Sequence, residues 1–337
     1  MHIAIIGGAS TIGATVAYTL ASEEPTIDIT LVDKAEDPSW AHAVDVTHSV
    51  FHSIRGPVAA PTAESFGSIR TVGADELGTL EPEPDLAVFT AAAPKPENTT
   101  GTDAREAELD RNRSVVDAVA AELRKLNPLP VLMITNPIDR LTYRLWQRLE
   151  WPRRYFLGYS LSETARTAYK IGELRDVPWT SVGCPVIGEH GDEIIPVFSR
   201  LHIDGEPTTL SETERSTVRE YVREIPFKIA SKRGPEETSR WVTSAGVMRL
   251  IRRMFTEDTD GRSDGKNGEQ SVNAGVEPTV CLSTPVDGEY GLSGGCLSVP
   301  VKLTSNGAEE ILEWSLTPDE RQRFERAHES ICMDLKL

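Results

Sequence analysis

The chain has 337 residues, 39% hydrophobic and 26% charged, which places it among globular proteins, excludes a disordered one and leaves room for two domains of ordinary size. Its 35 basic and 52 acidic residues give a formal charge of −17, and only nine of the basic residues are Lys. That balance argues against nucleic acid or an anionic membrane as a partner, and an acidic, Lys-poor surface suits concentrated salt, where ions screen self-repulsion.

No apolar run approaches the roughly 18 residues of a membrane span, and the N-terminus enters a strand without a charged leader, so a soluble, cytoplasmic protein is expected. Cys184, Cys281, Cys296 and Cys332 stand apart with no C-x-x-C pair. They read as free thiols in a reducing compartment rather than as disulfides or a zinc site.

In chain order, the apolar run Ile3 to Ile6 leads into Gly7-Gly8-Ala9-Ser10-Thr11-Ile12-Gly13, after which Ile12, Val16 and Leu20 recur every four residues. This is strand, turn, helix. Further strands are expected at Ile27 to Val32, Ser68 to Val72, Asp85 to Thr90 and Val131 to Thr135. Before the last of these, Val116, Val119, Leu123 and Leu126 share one helical face. Strands alternating with helices predict an α/β fold with a doubly wound parallel sheet. Beyond about Trp151 the rhythm changes. Two strands are expected around a turn within Val182 to Ile203, helices over Glu212 to Lys232 and Trp241 to Phe255, and antiparallel strands over Val280 to Leu303. The expectation is a Rossmann-type doubly wound domain over residues 1–150 and an α+β domain over 151–337. The polar, turn-rich stretch Thr256 to Pro278 reads as an exposed loop, and there is no internal repeat.

The loop after the first strand departs from G-x-G-x-x-G spacing, with Ser10 at the middle position of a G-x-x-G-x-x-G variant. Gly7 permits the tight turn and Gly13 close packing of helix on strand. Ser10, Thr11 and Ile12 open the helix, whose free N–H groups and positive dipole end suit a pyrophosphate. Asp33 follows Gly13 by twenty residues, where a carboxylate accepts hydrogen bonds from ribose hydroxyls and repels a 2′-phosphate. NAD is therefore expected over NADP, although a strand-ending Asp beside an ordinary turn has the same spelling and Lys34 stands next door.

Asn136 closes the fifth strand, facing the site or capping the helix that Pro137 begins. Glu163 and Arg166 lie three apart on a predicted helix over Leu161 to Ile171, close enough to pair with each other. Gly188-Glu189-His190-Gly191-Asp192 sets one imidazole among glycines and carboxylates, which suits a proton shuttle approached closely by substrate. His48 and His52 have metal-binding spacing on a helix, but no third ligand is evident and no metal is expected.

Taken in order from His2 to the C-terminal helix, these residues resemble the lactate and malate dehydrogenase family. The resemblance implies that His190 is the general acid and base, steadied by Glu163, and that Arg166 grips a substrate carboxylate. It further implies that Asn136 orients the substrate oxygen, that Arg105 polarises the carbonyl, and that Lys95 reads the variable end of the substrate. Two departures stand out. The family's L-D-x-x-R places Asp directly after Leu, whereas here Ser162 separates Leu161 from Glu163, and the loop between Thr90 and Arg105 is about four residues longer. The implied activity is interconversion of a small L-2-hydroxy acid and its 2-oxo acid by a homodimer or homotetramer, malate ahead of lactate. Two alternatives remain open: a non-catalytic NAD-binding protein, and an NAD-dependent glycosidase, which wants a Cys/His metal pair.

Overall fold

The computed structural model describes residues 1–54, 66–94, 102–234, 239–255 and 279–337. In chain order the elements are β1 (His2–Ile6), α1 (Thr11–Glu23), β2 (Asp28–Val32), α2 (Glu36–Ile54), β3 (Ile69–Val72), β4 (Leu86–Phe89), α3 (Thr102–Leu123), β5 (Val131–Met133), α4 (Ile138–Leu149), β6 (Phe156–Gly158) and α5 (Leu161–Arg175). Then come β7 (Val182–Gly183), β8 (Val186–Gly188), β9 (Ile194–Pro196), β10 (His202–Ile203), β11 (Glu206–Pro207), α6 (Glu212–Arg233), α7 (Arg240–Phe255), β12 (Val280–Asp287), β13 (Ser293–Thr304), β14 (Gly307–Ile311) and α8 (Pro318–Leu335).

Strands β1 to β6 pair in parallel in the order β3-β2-β1-β4-β5-β6, with Ile3 to Ile6 opposite Ile29 to Val32 on one side and Leu86 to Phe89 on the other. All five residues of β1 are buried, as a strand covered by helices on both faces requires. The expected parallel, doubly wound sheet is present, and β6 extends it by one strand that sequence periodicity did not reveal. Phe156–Gly158 is only three residues long, too short for a pattern to register.

The same sheet then continues antiparallel. Strand β12 pairs with β6 through Ser283 opposite Gly158, then come β13, β8 and β9, with β14 on the far part of β13. The expected strands around His190 are the hairpin β8–β9 in this sheet, while β7, β10 and β11 form a separate small sheet. A continuous apolar core runs from Ile3 through Leu132 and Leu297 to Ile331. A smaller one gathers Ile171, Phe198, Val218 and Val222 under α5 and α6. The stretch 256–278 lies outside the described residues. The four cysteines are free, three of them buried.

Candidate active site

The cofactor end is built from backbone. Gly7 has φ +92°, a conformation an L side chain resists, and a Cβ there would stand 2.4 Å from the amide nitrogen of Ala91. Its own N–H donates to the carbonyl of Val32 at 2.8 Å, tying the loop to the end of β2. Asp33 clips the same loop, accepting from the amide of Ala9 on one oxygen and from that of Ala35 on the other, both at 2.9 Å. Ser10 is the N-cap of α1, its hydroxyl accepting from the amide of Gly13 at 2.9 Å. Among the described residues the amides of Thr11 and Ile12 find no acceptor, so the positive end of a 13-residue helix carries unpaired donors. That cradle fits a dinucleotide pyrophosphate, and the carboxylate of Asp33 beside it fits ribose hydroxyls.

The chemical end is built from side chains. Gly188 has φ +91° and turns the chain out of β8 into the segment that carries His190. Nδ1 of His190 stands 3.2 Å from one carboxylate oxygen of Glu163, and Nη1 of Arg166 donates to the other at 2.9 Å. The imidazole and carboxylate atoms face each other without full hydrogen-bond alignment, and among the described residues neither atom has a hydrogen-bond partner. Charge therefore couples them. Burial pushes the pKa of His190 down, but the carboxylates of Glu163 and, less strongly, Asp139 together more than offset it and hold it above the ordinary value. Burial would likewise raise Glu163, yet His190 and then Arg166 hold its carboxyl low. Ser162, the residue that interrupts the family pattern, turns inward and donates to the hydroxyl of Tyr159 at 3.1 Å, while Glu163 keeps its three-residue spacing to Arg166.

A deeper layer supports this pair, and the sequence reading had missed it. Asp139, completely buried in the first turn of α4, accepts from the backbone amide of His190 at 2.8 Å and from the hydroxyl of Ser283 at 2.5 Å. Burial raises its pKa, with Arg140 opposing and Glu189 adding to the rise. Asn112 is the other missed residue. Its side chain accepts from the amide of Ala93 at 2.7 Å and donates to the carbonyl of Asn136 at 2.8 Å, joining the start of the loop after β4 to the end of β5. The clue for Asp139 was a carboxylate followed by an apolar helix face, which also spells an ordinary first-turn acid. Asn136 itself is exposed at the C-terminal end of β5, the edge where ligands meet such sheets. Arg105 falls in the first turn of α3, its side chain outside the described residues, as is Lys95. His48 and His52 are exposed on α2, and among the described residues no three His, Cys, Asp or Glu gather as metal ligands.

Residues 1–158 match the model of the lactate/malate dehydrogenase NAD binding domain. These residues form the NAD binding domain of that family, and the chain is an NAD-dependent oxidoreductase. It is 28% identical over 333 residues to a malate dehydrogenase of Halobacterium salinarum, covering 98% of this chain and 96% of that one. An L-lactate dehydrogenase of Halalkalibacterium halodurans is 25% identical over 331 residues, 97% of this chain and 94% of that one. In fold, the malate dehydrogenase of Aeropyrum pernix superposes with a TM-score of 0.81 at 23% identity, covering 99% of this chain and 97% of that chain. The expected family, Rossmann-type fold and cofactor are thereby borne out.

Proposed function

We propose that the chain interconverts malate and oxaloacetate, with residues 1–150 holding NAD and 151–337 most of the substrate site. The reading is carried by one observation: a single carboxylate, Glu163, faces both an imidazole and a guanidinium that come from separate parts of the chain. Gly7 to Gly13 and Asp33 would hold NAD, which supplies hydride exchange at the substrate C2 when bound. His190 gives a proton to the carbonyl oxygen on reduction and takes it back from the hydroxyl on oxidation, through the nitrogen that Glu163 does not face. Glu163 stabilises the imidazolium, and Arg166 anchors the C1 carboxylate by a charge-assisted fork. Asn136 orients the reacting oxygen, and Arg105 stabilises charge developing on it. Lys95 meets the second carboxylate of the dicarboxylic acid. The placement of Glu163 against His190 favours catalysis over a degenerate NAD-binding role.

The state we infer is a cytoplasmic homodimer or homotetramer working in concentrated salt. Trp40 (60% exposed) and Phe51 (56%) on α2, Tyr18 on α1 and Trp241 on α7 present large apolar surface, and α1 packs against both of the other helices, which suits burial against a second copy. The salt inference rests on the −17 charge and the few Lys, and the similarity to a Halobacterium salinarum enzyme agrees with it.

The test is NADH oxidation with oxaloacetate and pyruvate side by side, in dilute buffer and in multimolar salt. We expect kcat/KM for oxaloacetate to exceed that for pyruvate by at least about tenfold, the worth of one charge contact in a closed site. Activity should fade below about 0.1 M salt, where the Debye length exceeds roughly 10 Å. Equal use of both acids would overturn the substrate reading, and lasting activity in dilute buffer the salt reading.

A further inference from the structure

Asp139 and Arg140 are consecutive, both buried, and both reach the turn that carries His190. Asp139 holds the backbone amide of His190. Arg140 holds the side chain of the preceding residue, its Nη1 standing 2.6 Å from a carboxylate oxygen of Glu189 and 4.0 Å from Asp139. Glu189 in turn accepts from the amide of Glu193 at 3.2 Å, across the base of the same turn. The first turn of α4 thus clamps the catalytic turn at two adjacent points.

The far edge of the guanidinium is occupied as well. Nε and Nη2 of Arg140 donate to one carboxylate oxygen of Asp334 at 2.9 and 2.7 Å, and Nη2 also reaches the hydroxyl of Ser330 at 3.5 Å. Asp334 lies in the last turn of α8, where an acidic side chain opposes the helix dipole, so its presence there calls for a partner, and Arg140 is that partner. A second arginine, Arg113 of α3, donates to the backbone carbonyl of Asp334 at 3.1 Å. Arg140 is only 7% exposed, whereas the Asp334 side chain is 50% exposed. A planar fork with both edges filled has one available orientation; with one edge emptied it has several.

We propose that Asp334 is a positioning residue for His190, acting through Arg140 and Glu189, so that the C-terminal end of α8 sets how squarely the imidazole faces Glu163. The proposal rests on the catalytic reading of His190. A salt link whose sole task was stability would move melting temperature and leave the chemistry per folded molecule unchanged. A positioning link moves kcat and the pH profile while NADH binding stays put.

The experiment compares Asp334→Asn and Asp334→Glu with the wild type and with His190→Gln. Asp334 is half-exposed in a terminal helical turn, so both variants should fold, and melting curves report the folded fraction. The charged groups that act on His190 are Glu163 and Arg166 of α5 and Asp139 of α4, with the Arg140–Glu189 pair beside them in the elements that carry Asp139 and His190. Loss of one negative charge and looser contact with Glu163 act in the same direction on the imidazolium. For Asp334→Asn we expect kcat per folded molecule to fall about tenfold, as a sub-ångström misplacement of a catalytic group can cost. KM for NADH should hold within about twofold, with the alkaline limb of oxo-acid reduction displaced to lower pH. Asp334→Glu should restore both. Unchanged kcat and limb in Asp334→Asn beside an inactive His190→Gln would overturn this inference alone, as would a loss that follows the folded fraction. A His190→Gln enzyme as fast as the wild type would overturn the catalytic reading itself.

Discussion

The two ends of the site are made of different material. Around the glycine loop the working groups are backbone amides at the start of α1, placed by the conformation of Gly7 and by Asp33 at the end of the neighbouring strand. Around His190 they are side chains from α4, α5 and the β8–β9 turn, held by charge. A backbone site tolerates most side-chain changes and fails where a glycine acquires a Cβ. A side-chain site keeps its fold and loses its chemistry when one partner changes. Variants at the first end should therefore act on cofactor binding, and those at the second on turnover. The largest expected effect comes from His190→Gln. Removing the proton donor should lower kcat at least about 10²-fold while leaving NADH affinity nearly unchanged. Loss of NADH binding instead would erase the distinction between the two ends.

Gly7→Ala attacks the other end. The residue sits at φ +92° with the Ala91 backbone where the methyl group must go, and such strain costs on the order of 1–3 kcal/mol. If the loop yields rather than the fold, NADH affinity should weaken by about 10- to 100-fold, with kcat at saturating NADH little changed. Isothermal titration and steady-state kinetics together decide it. An equal fall in kcat at saturation would show that the ends are not separable.

The same contrast explains what could be read in the sequence. The cofactor end was legible because its parts are local: a strand, seven loop residues and Asp33 all lie within the first 33 positions. At the other end His190, Glu163 and Arg166 could be picked out because short patterns carry each of them, and the structure brings the three together. Their support was not legible. Asp139 meets His190 across 51 positions and Ser283 across 144, and no local pattern encodes a contact of that range. The inserted Ser162 looked like a break in the relay, yet helix geometry is set by the interval from Glu163 to Arg166, which is intact.

Glu163→Gln sharpens the comparison by removing charge at nearly constant shape. In the wild type the pKa of His190 is raised, chiefly by Glu163 working against burial, with Asp139 assisting and Arg166 opposing. Reduction of the oxo acid uses the imidazolium, so its rate should persist above pH 6.5, the ordinary value, and fall only as pH rises through the raised pKa. With Gln, burial and Arg166 prevail. The limb should move to lower pH, so kcat at about pH 7.5 should fall as the imidazolium is depleted, while the rate on the acid side of the limb changes less. Oxidation of the hydroxy acid, which starts from neutral imidazole, should lose less. A limb that stays in place would mean that Glu163 orients the ring by shape rather than by charge.

The smallest effect belongs to Asp33→Ser, because Asp33 has two tasks and only one of them concerns the cofactor. Its carboxylate clips the glycine loop through Ala9 and the following turn through Ala35, and a serine hydroxyl reaches at most one of these amides. Part of any loss in NADH affinity will therefore be loosening of the loop, shared equally by NADH and NADPH. What the charge alone contributes is repulsion of a 2′-phosphate, and this cancels out of everything except the ratio of the two cofactors. The ratio of kcat/KM for NADH over NADPH should fall about fivefold, near 1 kcal/mol, a surface charge term that salt weakens further. Measuring the ratio at two salt concentrations isolates the electrostatic part: it should differ most between wild type and variant in the more dilute buffer. A wild type that uses NADPH as readily as NADH, or a ratio that the substitution leaves alone, would leave Asp33 as a loop clip only, and would make the cofactor end as purely a backbone site as its glycines suggest.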